Sequence, residues 1–153
     1  ADMDACFPAA AKASVILGAD TFLADGTARP HWRALAFGAM PVAAFMGEID
    51  FHVYFTAPTW RESFGRVLAE AIAAGKVVIT DPETARTFGG AVVAARPAEV
   101  DAAIARFCAD PARYHAQVRR AQDRLAAFSR DRFLAMFRDD LAKAPGAERG
   151  AAA

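Results

Sequence analysis

The sequence predicts an α/β domain built on a parallel sheet of about five or six strands with helices on both faces. Three observations point there. Short apolar runs alternate with amphipathic helical stretches along most of the chain. The run over residues 51–55 is almost continuously apolar, as a strand covered on both faces requires. Between that run and a second one, Val77–Thr80, lie a glycine-containing turn and one helix, the kind of crossover that joins parallel neighbours. Ligands of such sheets sit beyond the carboxyl ends of the strands, so residues 58–75 are the stretch around which the chain is organised.

The elements follow in order. Residues 14–18, Ser-Val-Ile-Leu-Gly, read as a first buried strand ended by glycine. Residues 20–30 read as a polar loop turning at Asp25-Gly26, or equally as a linker. Residues 33–37, followed by Gly38, read as a second strand, although their alanines and leucine also favour helix. Pro41 is placed to open a short helix ending near Gly47, held to the sheet by Phe45, Met46 and Ile49. After the two central strands come Asp81-Pro82, a helical stretch over 84–88, Gly89-Gly90 and a last strand over 91–94. Pro97 opens a helix over 98–109, with Val100, Ala103, Ile104 and Phe107 at helical spacing. Asp110-Pro111 starts another that runs towards Phe128 through Tyr114, Val118, Ala121 and Leu125. Ser129 and Asp131 are candidate caps for a final helix, Arg130–Lys143, with Phe133, Leu134, Phe137 and Leu141 facing inward. The domain thus covers residues 1–143, and residues 144–153 read as a loose tail.

Within the organising stretch, Phe64, Val67, Leu68, Ala71, Ile72 and Gly75 fall on one apolar stripe at about 100° per residue. Arg66 and Glu70 fall on the other side, so Glu70 faces water, paired with Arg66, or a cleft. Glu62 precedes the helix, in a loop expected to hang over the strand ends. The first helical turn offers unpaired backbone N–H groups and the positive end of the helix dipole, and Gly65 lets a ligand approach closely. Together these suit a phosphate. Trp60 either walls the cleft or plugs the loop. His52 reads as a satisfied sheet histidine, and Arg113, Arg119, Arg120 and Arg124 as a solvated basic face.

Glu62-x7-Glu70, with Phe64-Gly65 inside it and Glu70-Ala71 leading to Gly75 and Val77-Val78-Ile79, resembles the E-x7-E signature of family-4 retaining glycosyltransferases. The preceding Asp50-Phe51-His52-Val53-Tyr54-Phe55 is similar to that family's strand of the form aD-x-x-V-x-P, and the similarity spans roughly residues 33–137. The resemblance implies a Rossmann-like three-layer domain, the donor-binding half of a GT-B fold. It implies that Glu62 is the catalytic-site carboxylate beside the donor sugar and that Glu70 binds the ribose hydroxyls. The amides of Ser63, Phe64 and Gly65 would meet the sugar diphosphate, and Gly38 and Met40 the base. The substrate would be a nucleotide sugar such as a UDP- or GDP-sugar, with no metal or other cofactor.

The resemblance further implies that the acceptor, a glycan, lipid or other small molecule, is bound by an N-terminal half that 153 residues starting at Ala1 leave no room for. Any peripheral membrane association would belong to that half, and the expected location is cytoplasmic. Two departures stand out. The loop after Val77–Thr80 is short and lacks the family's G-x-x-E pattern, and the expected early Arg/Lys pair is missing, with only Arg29 and Arg33 as stand-ins. A noncatalytic nucleotide-sugar-binding module and a GT-B-type sugar-nucleotide epimerase are the alternative readings.

Composition narrows the function classes. The chain is 55% hydrophobic and 24% charged with zero formal net charge, which gives no support for nucleic acid or an anionic membrane as partner. About a quarter of it is alanine, which favours helix. No apolar run is long enough to span a bilayer, and the first twenty residues lack the pattern of a signal peptide. Cys6 and Cys108 read as two thiols rather than a disulfide. His31, His52 and His115 have no metal-ligand spacing, and no G-x-S-x-G is present.

Overall fold

β4 (Val77–Thr80) has no charged residue and is buried at every position, which puts it at the centre of the fold. The computed structural model describes residues 3–7, 12–56, 59 and 62–143, with side chains up to residue 139. Trp60, the Leu141 side chain and residues 144–153 lie outside the described residues.

β3 (Phe51–Tyr54) runs parallel to β4, with Phe51 opposite Val77 and Tyr54 opposite Thr80. β5 (Val93–Ala94) runs parallel on the other side, with Val93 opposite Ile79. Successive side chains of a strand point to opposite faces. Val78 accordingly enters a core with Phe45, Met46, Leu68, Ile72 and Phe88, while Ile79 enters another with Cys6, Ala95, Val100 and Ala103. Helices cover both faces of β4, and this is why Val-Val-Ile-Thr shows no polar alternation.

β1 (Ser14–Leu17) and β2 (Trp32–Leu35) pair in parallel, Ser14 opposite Trp32 and Leu17 opposite Leu35. They form a sheet of their own. The expected single sheet of five or six strands is thereby corrected: the described strands make one two-stranded and one three-stranded parallel sheet. β1 and β3 instead face a shared space: Val15, Ile16 and Leu17 of β1 and His52, Val53 and Tyr54 of β3 line one cavity of about 300 Å³. With that space between them, the two strand edges share no hydrogen-bonded ladder.

The helices set the approach to the strand ends. Residues 20–24, expected in a polar loop, form α2 (Asp20–Ala24): Asp20 lies in its first turn, where the dipole favours an anion, and Phe22 packs edge-on against Trp32 at 5.6 Å. α3 (Val42–Glu48) follows an extended Pro41 and buries Phe45 and Met46. α4 (Arg66–Ala73) buries Leu68, Ala71 and Ile72. It ends at Gly75, in left-handed conformation (φ 74°), with Lys76 N donating to Ala71 O and Gly75 N to Ile72 O in the paired pattern of a Schellman motif.

α5 (Pro82–Phe88) starts two residues before the expected stretch because Asp81 Oδ1 accepts from the amides of both Glu83 and Thr84. A 3₁₀ turn, Gly89–Ala91, then reaches β5, which is two residues long rather than four. A second 3₁₀ turn, Pro97–Glu99, precedes α6 (Val100–Cys108). α7 (Pro111–Leu125) is capped by Asp110, whose Oδ1 accepts from Arg113 N. It is tied down by Gln117 Nε2, which donates to Gly90 O and Ala91 O.

α8 (Arg130–Lys143) has the expected start, with Ser129 Oγ accepting from Arg132 N. Its expected inward face is corrected. Phe133 is 66% and Phe137 52% exposed, and only Leu134 is half-buried. The helix packs chiefly on the 3₁₀ turn Ala126–Phe128, which cannot cover that stripe.

Candidate functional site

The site is built from the carboxyl end of β3 and the start of α4. Gly65, the N-cap of α4, has φ 78°, a left-handed conformation that glycine adopts without strain. A Cβ there would lie 2.5 Å from Leu68 Cδ1 and 3.3 Å from Glu62 Cγ, so the loop is folded tightly against its own helix. Glu62 lies three residues before Gly65 and comes back to the strand that precedes it. Tyr54, the last residue of β3, donates from its hydroxyl to Glu62 Oε2 at 2.7 Å.

The electrostatics follow from that geometry. The Tyr54 hydroxyl, above all, and the backbone amides of Gly65, Phe64 and Ser63 hold the Glu62 carboxyl below the usual carboxylate range, against a smaller upward push from desolvation. Burial, then the hydrogen bond and charge of Glu62, then the charge of Asp81, push the Tyr54 phenol up to about 12. Partial burial pushes Asp81 up, but the Thr84 amide and hydroxyl and the Glu83 amide outweigh it, and its pKa falls. Two ionised carboxylates therefore flank one neutral phenol at the ends of β3 and β4. A carboxylate with a lowered pKa is a poor proton donor near neutral pH. It is suited instead to steadying positive charge on a reacting partner.

The other residues singled out from sequence are dispersed. The Phe64 ring turns away from the loop mouth onto Phe88 (5.6 Å) and Phe128 (5.4 Å), and Ser63 is exposed. The amides of residues 63–65 act on the Glu62 carboxylate, so an incoming phosphate meets an anion already there. Glu70 is half-buried and pairs with Arg66 at 3.3 Å, the i,i+4 pair expected from spacing. It lines a groove between α3 and α4 with Val42, Ala43, Met46, Ala73 and Lys76, a groove that Glu62 does not line. Gly38 is exposed with φ 74° and open space where a Cβ would stand, whereas Met40 packs against the core. Neither lines a described cavity with Glu62 or Glu70. Arg29 pairs with Asp4 (2.5–2.8 Å) of the short helix α1 (Met3–Cys6) and Arg33 with Glu48 at the end of α3. α3 runs back from the carboxyl end of β2, so Arg33 sits towards the amino ends of the strands.

Two residues gain importance only from the structure. Tyr54 read as one more apolar strand position, yet it fixes Glu62. His52, read as satisfied, is buried with its Nε2 lacking any hydrogen-bond partner, and its expected reading is corrected. Burial drives its pKa down to about 4. On β3, residues 52 and 54 share a face, and their rings stack with centroids 6.3 Å apart. That i,i+2 spacing was the signal available in the sequence.

Cys6 and Cys108 are not joined by a disulfide. Among the described residues no three His, Cys, Asp or Glu side chains converge as a metal site would need, and no helix is long and apolar enough to cross a membrane. No family model, curated protein or solved structure matches the chain.

Proposed function

We propose that this chain is a Rossmann-like donor-binding domain of a retaining glycosyltransferase, holding a nucleotide sugar beyond the carboxyl ends of β3 and β4. The observation that carries the reading is the start of α4. There an ionised Glu62, the left-handed Gly65 and the first-turn amides meet at the strand ends, and Glu70 follows at the E-x7-E spacing. A departing nucleoside diphosphate gains negative charge, which the amides of residues 63–65 and the helix start favour. The donor's phosphates compete with the Glu62 carboxylate for those amides. Their arrival frees Glu62 to turn towards the sugar, where its charge steadies an oxocarbenium-like centre. Glu70 exchanges its Arg66 partner for ribose hydroxyls. The acceptor is bound by a separate half, and the setting of the reaction is the cytoplasm.

A second reading, a noncatalytic nucleotide-sugar-binding module, is favoured by one specific arrangement. Glu62 is held by Tyr54 and its own loop, Glu70 by Arg66, and both Arg29 and Arg33 by carboxylates away from the strand ends. Calorimetric titration of UDP-glucose and GDP-mannose into the chain, with assay of released UDP or GDP, separates the readings. Binding with release of diphosphate supports the first, and binding without release supports the second. Conversion of the sugar nucleotide with no acceptor marks a GT-B-type epimerase. No binding of any nucleotide sugar removes all three.

A further inference from the structure

The apolar stripe of α8 is left uncovered by the rest of the domain. On a helix turning about 100° per residue, Phe133, Met136 and Phe137 fall within one arc of about 100°. Each is more than half exposed. The Phe133 and Phe137 rings stack, 6.3 Å apart and within 10° of parallel, so they present one flat surface. Single exposed apolar side chains are ordinary, but large ones grouped on one face mark an interaction surface. The charges beside the stripe are ordered. Arg132 and Asp139 are exposed and lie seven residues apart, within about 20° of each other along one flank of it. Asp131 and Arg138 point to the side away from it. Neither Arg132 nor Asp139 forms an ion pair with another described side chain.

We propose that α8 pairs with the α8 of a second copy of this chain, antiparallel, about a two-fold axis that passes between Ala135 and Met136. That point lies midway between Arg132 and Asp139. The symmetry therefore sets Arg132 of each copy against Asp139 of the other and closes two ion pairs at once. The two Phe133–Phe137 stacks meet across the axis and leave water together. Charge complementarity selects this occupant and this direction. A parallel, in-register pair would set arginine against arginine and aspartate against aspartate, which is costly. One helix face per copy is a small interface, so the dimer is weak and reversible. None of residues 132–139 belongs to the donor site, so failure of the dimer leaves the donor reading untouched, and the reverse also holds.

Analytical ultracentrifugation over a dilution series near pH 7 tests the pairing. The wild-type chain should pass reversibly from monomer to dimer as its concentration rises. Phe133→Ser/Phe137→Ser should be monomeric throughout. Arg132→Asp alone makes both flank contacts acidic and should weaken the dimer about tenfold, and Asp139→Arg alone makes both basic with the same effect. An equimolar mixture of these two variants restores both pairs, so it should associate with the wild-type affinity. All the substituted side chains are exposed. Should the double serine variant fail to fold, the two charge variants and their mixture decide. A wild-type chain that stays monomeric, a dimer indifferent to Arg132→Asp, or a mixture that associates no better than either variant alone overturns the proposal. Association that continues past the dimer also overturns it, since a closed two-fold pair leaves no stripe free.

Discussion

Tyr54 Oη donates to Glu62 Oε2 at 2.7 Å, so the last residue of β3 fixes a carboxylate four residues before α4. The bond lowers the pKa of the carboxyl and adds to the upward push that burial gives the phenol. Tyr54→Phe is expected to return Glu62 towards its ordinary pKa and to cost about 0.5–1 kcal/mol near pH 7, a charge-assisted bond discounted for the carboxylate's exposure to solvent. Because the folded pKa of Glu62 is lowered, this stability is present above its unfolded value of 4.5 and is lost as pH falls through the folded value. Urea unfolding of wild type and variant at pH 7 and pH 2 checks it, with the difference shrinking at the lower pH.

The same phenol predicts an alkaline signature. Its folded pKa is raised from 10.0 to about 12, so the stability it contributes is complete below pH 10 and is lost as pH rises towards 12. Ultraviolet titration of the folded chain should show one tyrosine ionising about two units late, and Tyr54→Phe should remove that late step.

His52 sets an acid limit. Its folded pKa is lowered from 6.5 to about 4, so its contribution is complete above pH 6.5 and is lost as pH falls through 4. Between pH 7 and pH 4.5 the chain is expected to lose about 2–3 kcal/mol through this group. Denaturant unfolding across that window, compared with His52→Leu, isolates the effect: the variant's stability should fall less steeply. Parallel pH profiles would show that His52 is hydrated in the folded chain.

Gly65→Ala is expected to destabilise by about 2–4 kcal/mol. The left-handed backbone accounts for about 1–2 kcal/mol and the clash of the new Cβ with buried Leu68 for the rest. Gly38→Ala shares the φ penalty, 74°, but has open space around the new methyl. It should cost only the first part, which makes it the control in the same unfolding experiment.

Much of this architecture was legible because its causes are local. Val77–Thr80 declares itself by three successive β-branched apolar residues and a threonine, and the Asp81-Pro82 and Asp110-Pro111 pairs mark helix starts through side chain and ring geometry alone. The parts that were not legible depend on distant neighbours. Strand Ser14–Leu17 carries no sign that a cavity, rather than β3, lies at its edge. Residues 20–24 become a helix with Phe22 resting on Trp32, ten residues further along the chain. Phe133 and Phe137 form an apolar stripe at helical spacing, but spacing does not say whether anything covers it. In the site, the positions of Glu62 and Glu70 on either side of Gly65 were readable. The hydroxyl that holds Glu62 was not, since nothing in the spacing of Tyr54 and Glu62 says that the two side chains meet.

The central claim, that Glu62 and Glu70 serve one bound nucleotide sugar, is tested most directly by calorimetric titration of UDP- and GDP-sugars into the wild-type chain and into Glu70→Ala. The account predicts measurable binding of at least one nucleotide sugar, weakened about ten- to hundredfold by the loss of the carboxylate proposed to bind ribose. Wild-type binding that is absent, or that Glu70→Ala leaves unchanged, would contradict it.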